Sequence, residues 1–197
     1  SDLPIFMTDW WLDAVCAGKQ WDVFVEKDAN GEICAALPYL FRTRARMNYI
    51  VMPQMTQIGG LWLRSDIRND AQAVKRVCAS LNEQLQSLKL CYYYQQYPLH
   101  SIAPQAMQEL GFKLTKRITY RIEDLTDLDK VINAFSKNKK RQLQKALSLH
   151  VDRDLHVEDF YRFHVQCLQE LGKQISYSRE FLLVLERKTQ RLNQCQI

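Results

Sequence analysis

The densest chemistry in the sequence is cationic: Lys137, Lys139, Lys140, Arg141 and Lys145 follow directly on Ser136. If Ser136 caps a helix, the first four stand in its opening turns. The macrodipole is already positive there, so each cation is unfavourable by some tenths of a kcal/mol. Such an arrangement suits an anion site built from side chains and free backbone amides, with Lys139, Lys140 and Arg141 as its candidates. The competing reading is a solvated basic face beside the acidic stretch Glu123, Asp124, Asp127 and Asp129. A second group is polar and aromatic. The loop Gln54–Leu63 offers Gln57, Gly59 and Trp62, and the run Tyr92–Tyr94 with Tyr97 either lines a groove or packs as a buried strand. His100, His150, His156 and His164 are scattered, none at metal-ligand spacing, and no nucleophile–base pair can be assembled. Catalytic residues are therefore unassigned. The cations are not interleaved with aromatics, which argues against nucleic acid as a partner.

These residues need elements to hold them. A helix is expected over Asp9–Ala17, with Thr8 as N-cap and Gly18 as its stop. Strands follow at Trp21–Glu26 and Ile33–Phe41, joined through Asn30-Gly31, with Pro38 hinting at an edge or a bulge. A basic turn Arg42–Arg46 leads to a third strand at Tyr49–Met52. Beyond the loop, Val74, Val77, Cys78, Leu81, Leu85 and Leu88 predict a helix over Asp70–Leu88. Leu90–Tyr94 reads as a strand, Pro104–Leu110 as a helix ended by Gly111, and Phe112–Ile122 as a strand facing Leu114, Ile118, Tyr120 and Ile122 inward. A short helix lies near Leu128–Phe135. Running it on would set Lys139 within the apolar stripe, so the chain should break at Ser136 and restart as Lys137–Leu149. A strand over His150–Val157 and helices over Asp159–Leu171 and Arg179–Arg191 complete the reading. The fold class is α/β with a mixed, mainly antiparallel sheet flanked by helices, plus a partial second unit. The division expected is 1–124 and 125–197.

Composition sets outer limits. The chain has 197 residues, 47% hydrophobic and 25% charged, with net charge +5. These are globular values, and the mild basicity leaves anionic small molecules open as partners. Six cysteines form no C-x-x-C pair, and four of them (Cys16, Cys34, Cys78, Cys167) sit in apolar runs. Reduced thiols and a cytoplasmic setting are the expectation. No apolar run approaches the roughly 18 residues a membrane span needs, and no signal peptide is read at the N-terminus.

The stretch from Trp11 to Leu63, "WLDAVC…WDVFVE…NGEICAALPYLFRTR…YIVMPQMTQIGGLWL", resembles the FemAB-like branch of the GNAT acetyltransferase superfamily. "SKNKKRQLQKAL" is similar to the helix start that opens the second half of such proteins. The resemblance implies tandem GNAT-like domains, the second incomplete here. It implies an acyl- or aminoacyl-transferase acting on an amine of a cell-envelope or polysaccharide precursor, inactive as this piece alone. Acetyl-CoA or another acyl-CoA would serve the full-length protein, with no cofactor expected in this chain. Lys139, Lys140 and Arg141 would bind the acceptor, and Tyr39, Gln57, Trp62 and Tyr94 would wall its pocket. The family's pyrophosphate loop, Q/R-x-x-G-x-G/A, is matched only in its first half by Gln108-Glu109-Leu110-Gly111 and Gln169-Glu170-Leu171-Gly172, both expected as helix C-caps. The alternative is a non-catalytic binding or homo-oligomerising module, motivated by apolar faces at Phe163, Cys167 and Leu171 and at Phe181, Leu182 and Leu185.

Overall fold

The computed structural model describes residues 3–16, 21–151 and 155–191. By its own contacts the chain forms two units: the described residues up to Leu114 with those from Val157 onward, and the described residues from Thr115 to His156. Gly18 lies outside the described residues.

The first unit is mixed α/β, as its residues imply. Helix α1 (Asp9–Cys16) is followed by strands β1 (Trp21–Lys27), β2 (Ile33–Arg44), β3 (Met47–Val51) and β4 (Trp62–Leu63). Helix α2 (Ala71–Ser87), strand β5 (Leu90–Tyr93) and helix α3 (Ala103–Glu109) come next. The sheet runs β1-β2-β3-β5, with β4 paired to β2. β1, β3 and β4 are antiparallel to β2, while β3 and β5 are parallel. The open sheet is thus mixed and mainly antiparallel.

Period-two alternation on β2 divides two layers. Ala35, Leu37 and Tyr39 face the cluster containing Val74, Cys78 and Leu81 of α2 and Ala106 and Met107 of α3. Leu40 faces the opposite cluster with Trp11, Val15 and Cys16 of α1. That second layer is completed by helix α7 (Arg179–Arg191), whose Phe181 and Leu185 are buried in it. The faces expected to stand uncovered thus split. Phe181, Leu182 and Leu185 are buried, whereas Phe163 of helix α6 (Val157–Glu170) and Leu171 just past its end remain 62% and 68% exposed.

Local signals explain the element ends. Asp70 caps α2 by accepting from the amides of Gln72 and Ala73 at 2.8 and 3.1 Å. Ser80 and Gln84 of α2 both donate to Glu26 of β1, tying helix to sheet. Thr8 gives its carbonyl to Leu12 as an N-cap does, but its hydroxyl donates back to Ile5.

Several expectations are corrected. The basic turn is narrower: Arg42–Arg44 continue β2 by pairing with β3, and only Ala45 and Arg46 turn, at φ +49° and +64°. Pro38 is on a central strand, not an edge, because β2 has β1 on one side and β4 and β3 on the other. Its pairing side away from β1 falls between β4, opposite Ala35–Ala36, and β3, opposite Leu40–Arg44, so the missing N–H meets no ladder. Phe112–Ile122 joins no sheet, and Ile118 and Tyr120 are 89% and 96% exposed instead of inward. The described residues of His150–Val157 hold no strand: 150, 151, 155 and 156 are irregular, and Val157 begins α6.

The second unit is helical. Helix α4 (Leu128–Ala134) is capped by Asp127, and helix α5 (Lys137–Ala146) by Ser136, so the break at Phe135–Ser136 is where charge burial placed it. Neither helix buries a residue.

Asp28 joins the β1–β2 turn to β4. It accepts from the amides of Asn30 and Glu32 through Oδ1 and from Arg64 Nη2 at 2.8 Å through Oδ2. The Arg64 hydrogen bond holds its carboxyl below the ordinary value, and Asp66 is lowered by the same guanidinium. A depressed folded-state value stabilises above the unfolded one, and that stabilisation is lost as pH falls through the folded value. Urea midpoints should therefore hold near neutrality and drop below about pH 4. Asp28→Asn should lower the neutral midpoint and blunt that acid drop; an unchanged acid profile in the variant would remove this pair from the account.

Candidate functional site

In the first unit the polar and aromatic residues gather around the gap that Pro38 leaves in the sheet. Gln95, just past β5, donates from Nε2 to the Pro38 carbonyl at 3.3 Å and accepts the Gly60 amide on Oε1 at 3.2 Å. Gly59 donates to the Gln96 carbonyl at 2.8 Å, and Tyr94 donates to the Ile50 carbonyl at 3.0 Å. One glutamine side chain thus substitutes for the strand that β4 and β3 do not supply. The polar loop is pinned to the carboxyl end of the parallel β3–β5 pair, a place where ligands of open α/β sheets often bind.

The ring of Tyr97 lies against Gly60, and its hydroxyl is 3.4 Å from that of Tyr93. Burial pushes both phenols up, Tyr97 to about 12, so each remains a neutral hydrogen-bond donor at physiological pH. Tyr93 also packs edge-on against Phe112, with ring centroids 5.2 Å apart.

The four expected pocket walls do not share one surface. Tyr39 is buried on the α2 side, stacked on Phe24 at 4.5 Å, with its hydroxyl 3.5 Å from Asp22. Burial, and then Asp22, push that phenol up to about 12. Trp62 pairs with Ala36 and so faces the opposite side of the sheet, half-buried. Tyr94 stacks with exposed Tyr92 at 6.4 Å, and Gln57 is exposed in the loop. Sequence alone singled out the tyrosine run and the loop but not Gln95, whose role depends on a gap in strand pairing.

The basic group belongs to the second unit. Ser136 Oγ accepts the Lys139 amide at 3.4 Å, and Lys140 Nζ donates to the Asn133 carbonyl at 2.9 Å. Among the described residues no acidic side chain pairs with Lys137, Lys139 or Arg141, so the expected neutralisation by residues 123–129 is not formed. Asp124 instead accepts from Thr126 and Asp127 caps α4. A separate hollow of about 320 Å³ is lined by Ile122, Val131 and Phe135 together with Asp124, Asp127 and Lys130.

No family model matches the chain, and no curated protein matches it. Solved structures similar to the chain at low identity include two acetyltransferases. One is the aminoglycoside antibiotic 6'-N-acetyltransferase AAC(6')-Ih from Acinetobacter baumannii, at 14% identity and TM-score 0.32. The other is AAC(6')-IG from Acinetobacter haemolyticus, at 13% identity and TM-score 0.32. Each likeness covers 58% of this chain and 77% of the other.

The two half-matched pyrophosphate motifs do not fit an acyl-CoA. Gly111 (φ +96°) donates to Gln108 and Phe112 to Met107, closing the end of α3. Gly172 (φ +65°) donates to Gln169 and Lys173 to Leu168, closing α6 in the same way. Both are Schellman-type C-caps, where free carbonyls and a negative dipole end oppose a phosphate. Among the described residues no helix is long and apolar enough to cross a membrane.

Proposed function

We propose that this chain is the acceptor-side portion of an acyl- or aminoacyl-transferase of the GNAT, FemAB-like type. Its acceptor would be an amine on an anionic cell-envelope or polysaccharide precursor. The observation that carries the reading is the cluster at the start of α5, where Lys139 and Arg141 stand beside a capped helix end and have no acidic partner among the described residues. Cations kept at a positive helix end without a counter-ion favour a mobile anion as their partner. The resemblance of residues 11–63 to the family, carried on a mixed sheet, supplies the reaction class. In this reading a second family-like half opens at about residue 125, and the acyl donor is bound outside the C-capped segments. The piece alone does not turn over.

Calorimetry with a nucleoside-diphosphate sugar as probe tests this. Binding should be measurable at low salt and should weaken at least tenfold in Lys139→Ala/Lys140→Ala/Arg141→Ala, since hydrogen bonds to charged groups contribute about 1.5–3 kcal/mol each. Equal binding by the triple variant would sink the acceptor site. Turnover of acetyl-CoA with an amine by this chain would refute its inactivity. A non-catalytic binding module is the second reading, favoured by the misfit of the two C-capped segments to pyrophosphate.

A further inference from the structure

The segment 115–125 has the alternation of a strand and, among the described residues, no strand beside it. Ile118, Tyr120 and Ile122 recur at period two, yet they are 89%, 96% and 51% exposed. No residue of the segment has a positive φ, so its backbone is open to the β region without strain. An extended segment whose backbone groups are unpaired can pair with another chain, as an open sheet edge does, unless something blocks it.

We propose that two copies of this chain associate through this segment as an antiparallel, two-fold ribbon centred on Tyr120. The register follows from charge. With Tyr120 opposite Tyr120, Ile118 stands opposite Ile122, Arg117 opposite Glu123 and Lys116 opposite Asp124, each pair occurring twice by symmetry. Apolar residues meet apolar ones, and each cation at one end of the ribbon meets an anion from the other copy. Centring one residue earlier sets Arg117 against Arg121. Centring one later sets Arg121 against itself and Ile118 against Asp124. A pairing shift of one residue, with the two-fold axis between residues, would set the Ile118–Tyr120–Ile122 stripe of one copy opposite the alternate face of the other.

The local structure leaves the required groups available. Asp124 engages Thr126 through Oδ1 only, leaving Oδ2 for Lys116 of the second copy. Among the described residues Lys116, Arg117 and Glu123 take no ion-pair partner. The unit carrying the segment buries no residue in either of its helices, so a second copy would supply contacts the unit does not make alone. This association is independent of the acceptor site proposed on α5.

Light scattering across a concentration series should show the mass doubling, and added salt should weaken the association because its end pairs are exposed. Lys116→Glu/Arg117→Glu should return the chain to monomer. Adding Glu123→Lys/Asp124→Lys to that variant should restore the dimer, which a merely structural role would not do. In a Cys91→Ser background, mild oxidation should cross-link Tyr120→Cys into a dimer and leave Ile118→Cys largely monomeric, because only residue 120 faces its own copy. Circular dichroism confirms that each variant is folded. A wild-type monomer throughout, association unmoved by K116E/R117E, or cross-linking of I118C as fast as Y120C would overturn the proposal.

Discussion

Replacing Leu37 by alanine should lower the stability of the protein by about 3 kcal/mol, within the range for buried leucines. Leu37 is 1% exposed and lies mid-way along β2, the strand that every sheet neighbour but β5 pairs with. Its side chain belongs to the cluster that joins the sheet to Val74, Cys78 and Leu81 of α2. Three carbons removed there leave a space bounded by a pleated sheet and a helix tied down through Glu26, so collapse around it is limited. Urea unfolding should show the midpoint falling with an unchanged slope, and melting should shift by roughly 6–12 °C for a chain of this size. Ile118→Ala, measured at a concentration low enough to keep the chain monomeric, is the control. It removes a comparable apolar side chain from a segment with the same alternation, but from an exposed position, and should change stability by less than about 0.5 kcal/mol. Equal losses at the two positions would mean that Phe112–Ile122 is packed after all.

That contrast shows where the sequence was legible. Local signals placed β1, β2 and α2: Asn30-Gly31 between the first two, and helical spacing after Asp70 for the third. The cost of burying Lys139 placed the α4–α5 break, an argument about one ammonium that needed no tertiary knowledge. Alternation failed at Phe112–Ile122 because it marks what a segment could pair with, not whether a partner is present. The Ala45-Arg46 turn carries no glycine or asparagine, so nothing local announced two positive φ values. They are imposed by the Arg44–Met47 pairing around it. The site divides in the same way. The basic run and the tyrosine run were visible as composition. The opposite faces of Tyr39 and Trp62, and the position of Gln95 in the sheet gap, follow from register, which residue types do not encode.

The gap itself yields the second large effect. Gly60→Ala should destabilise the first unit by about 3 kcal/mol, from two sources of similar size. Gly60 has φ +79°, where an L-residue is strained by about 1–2 kcal/mol. Its added Cβ would also lie 2.7 Å from Cδ1 of Tyr97, and forced overpacking of this kind costs about 1–3 kcal/mol. The ring cannot retreat cheaply, since its hydroxyl sits 3.4 Å from Tyr93 and the neighbouring Gln95 holds the Pro38 carbonyl. Gly59→Ala lacks the backbone strain, since its φ is ordinary, but its Cβ would meet the end of Met52 and, at 2.8 Å, the hydrogen-bonded Oε1 of Gln95. A double-mutant cycle separates the two sources, because Gly60→Ala added to Tyr97→Ala should cost only the backbone part. Strict additivity would show that the loop does not press on Tyr97. Coupling of 1 kcal/mol or more would show that the polar loop and the segment after β5 close the sheet gap as one body, so that Gln57 and Trp62 cannot move without Tyr97.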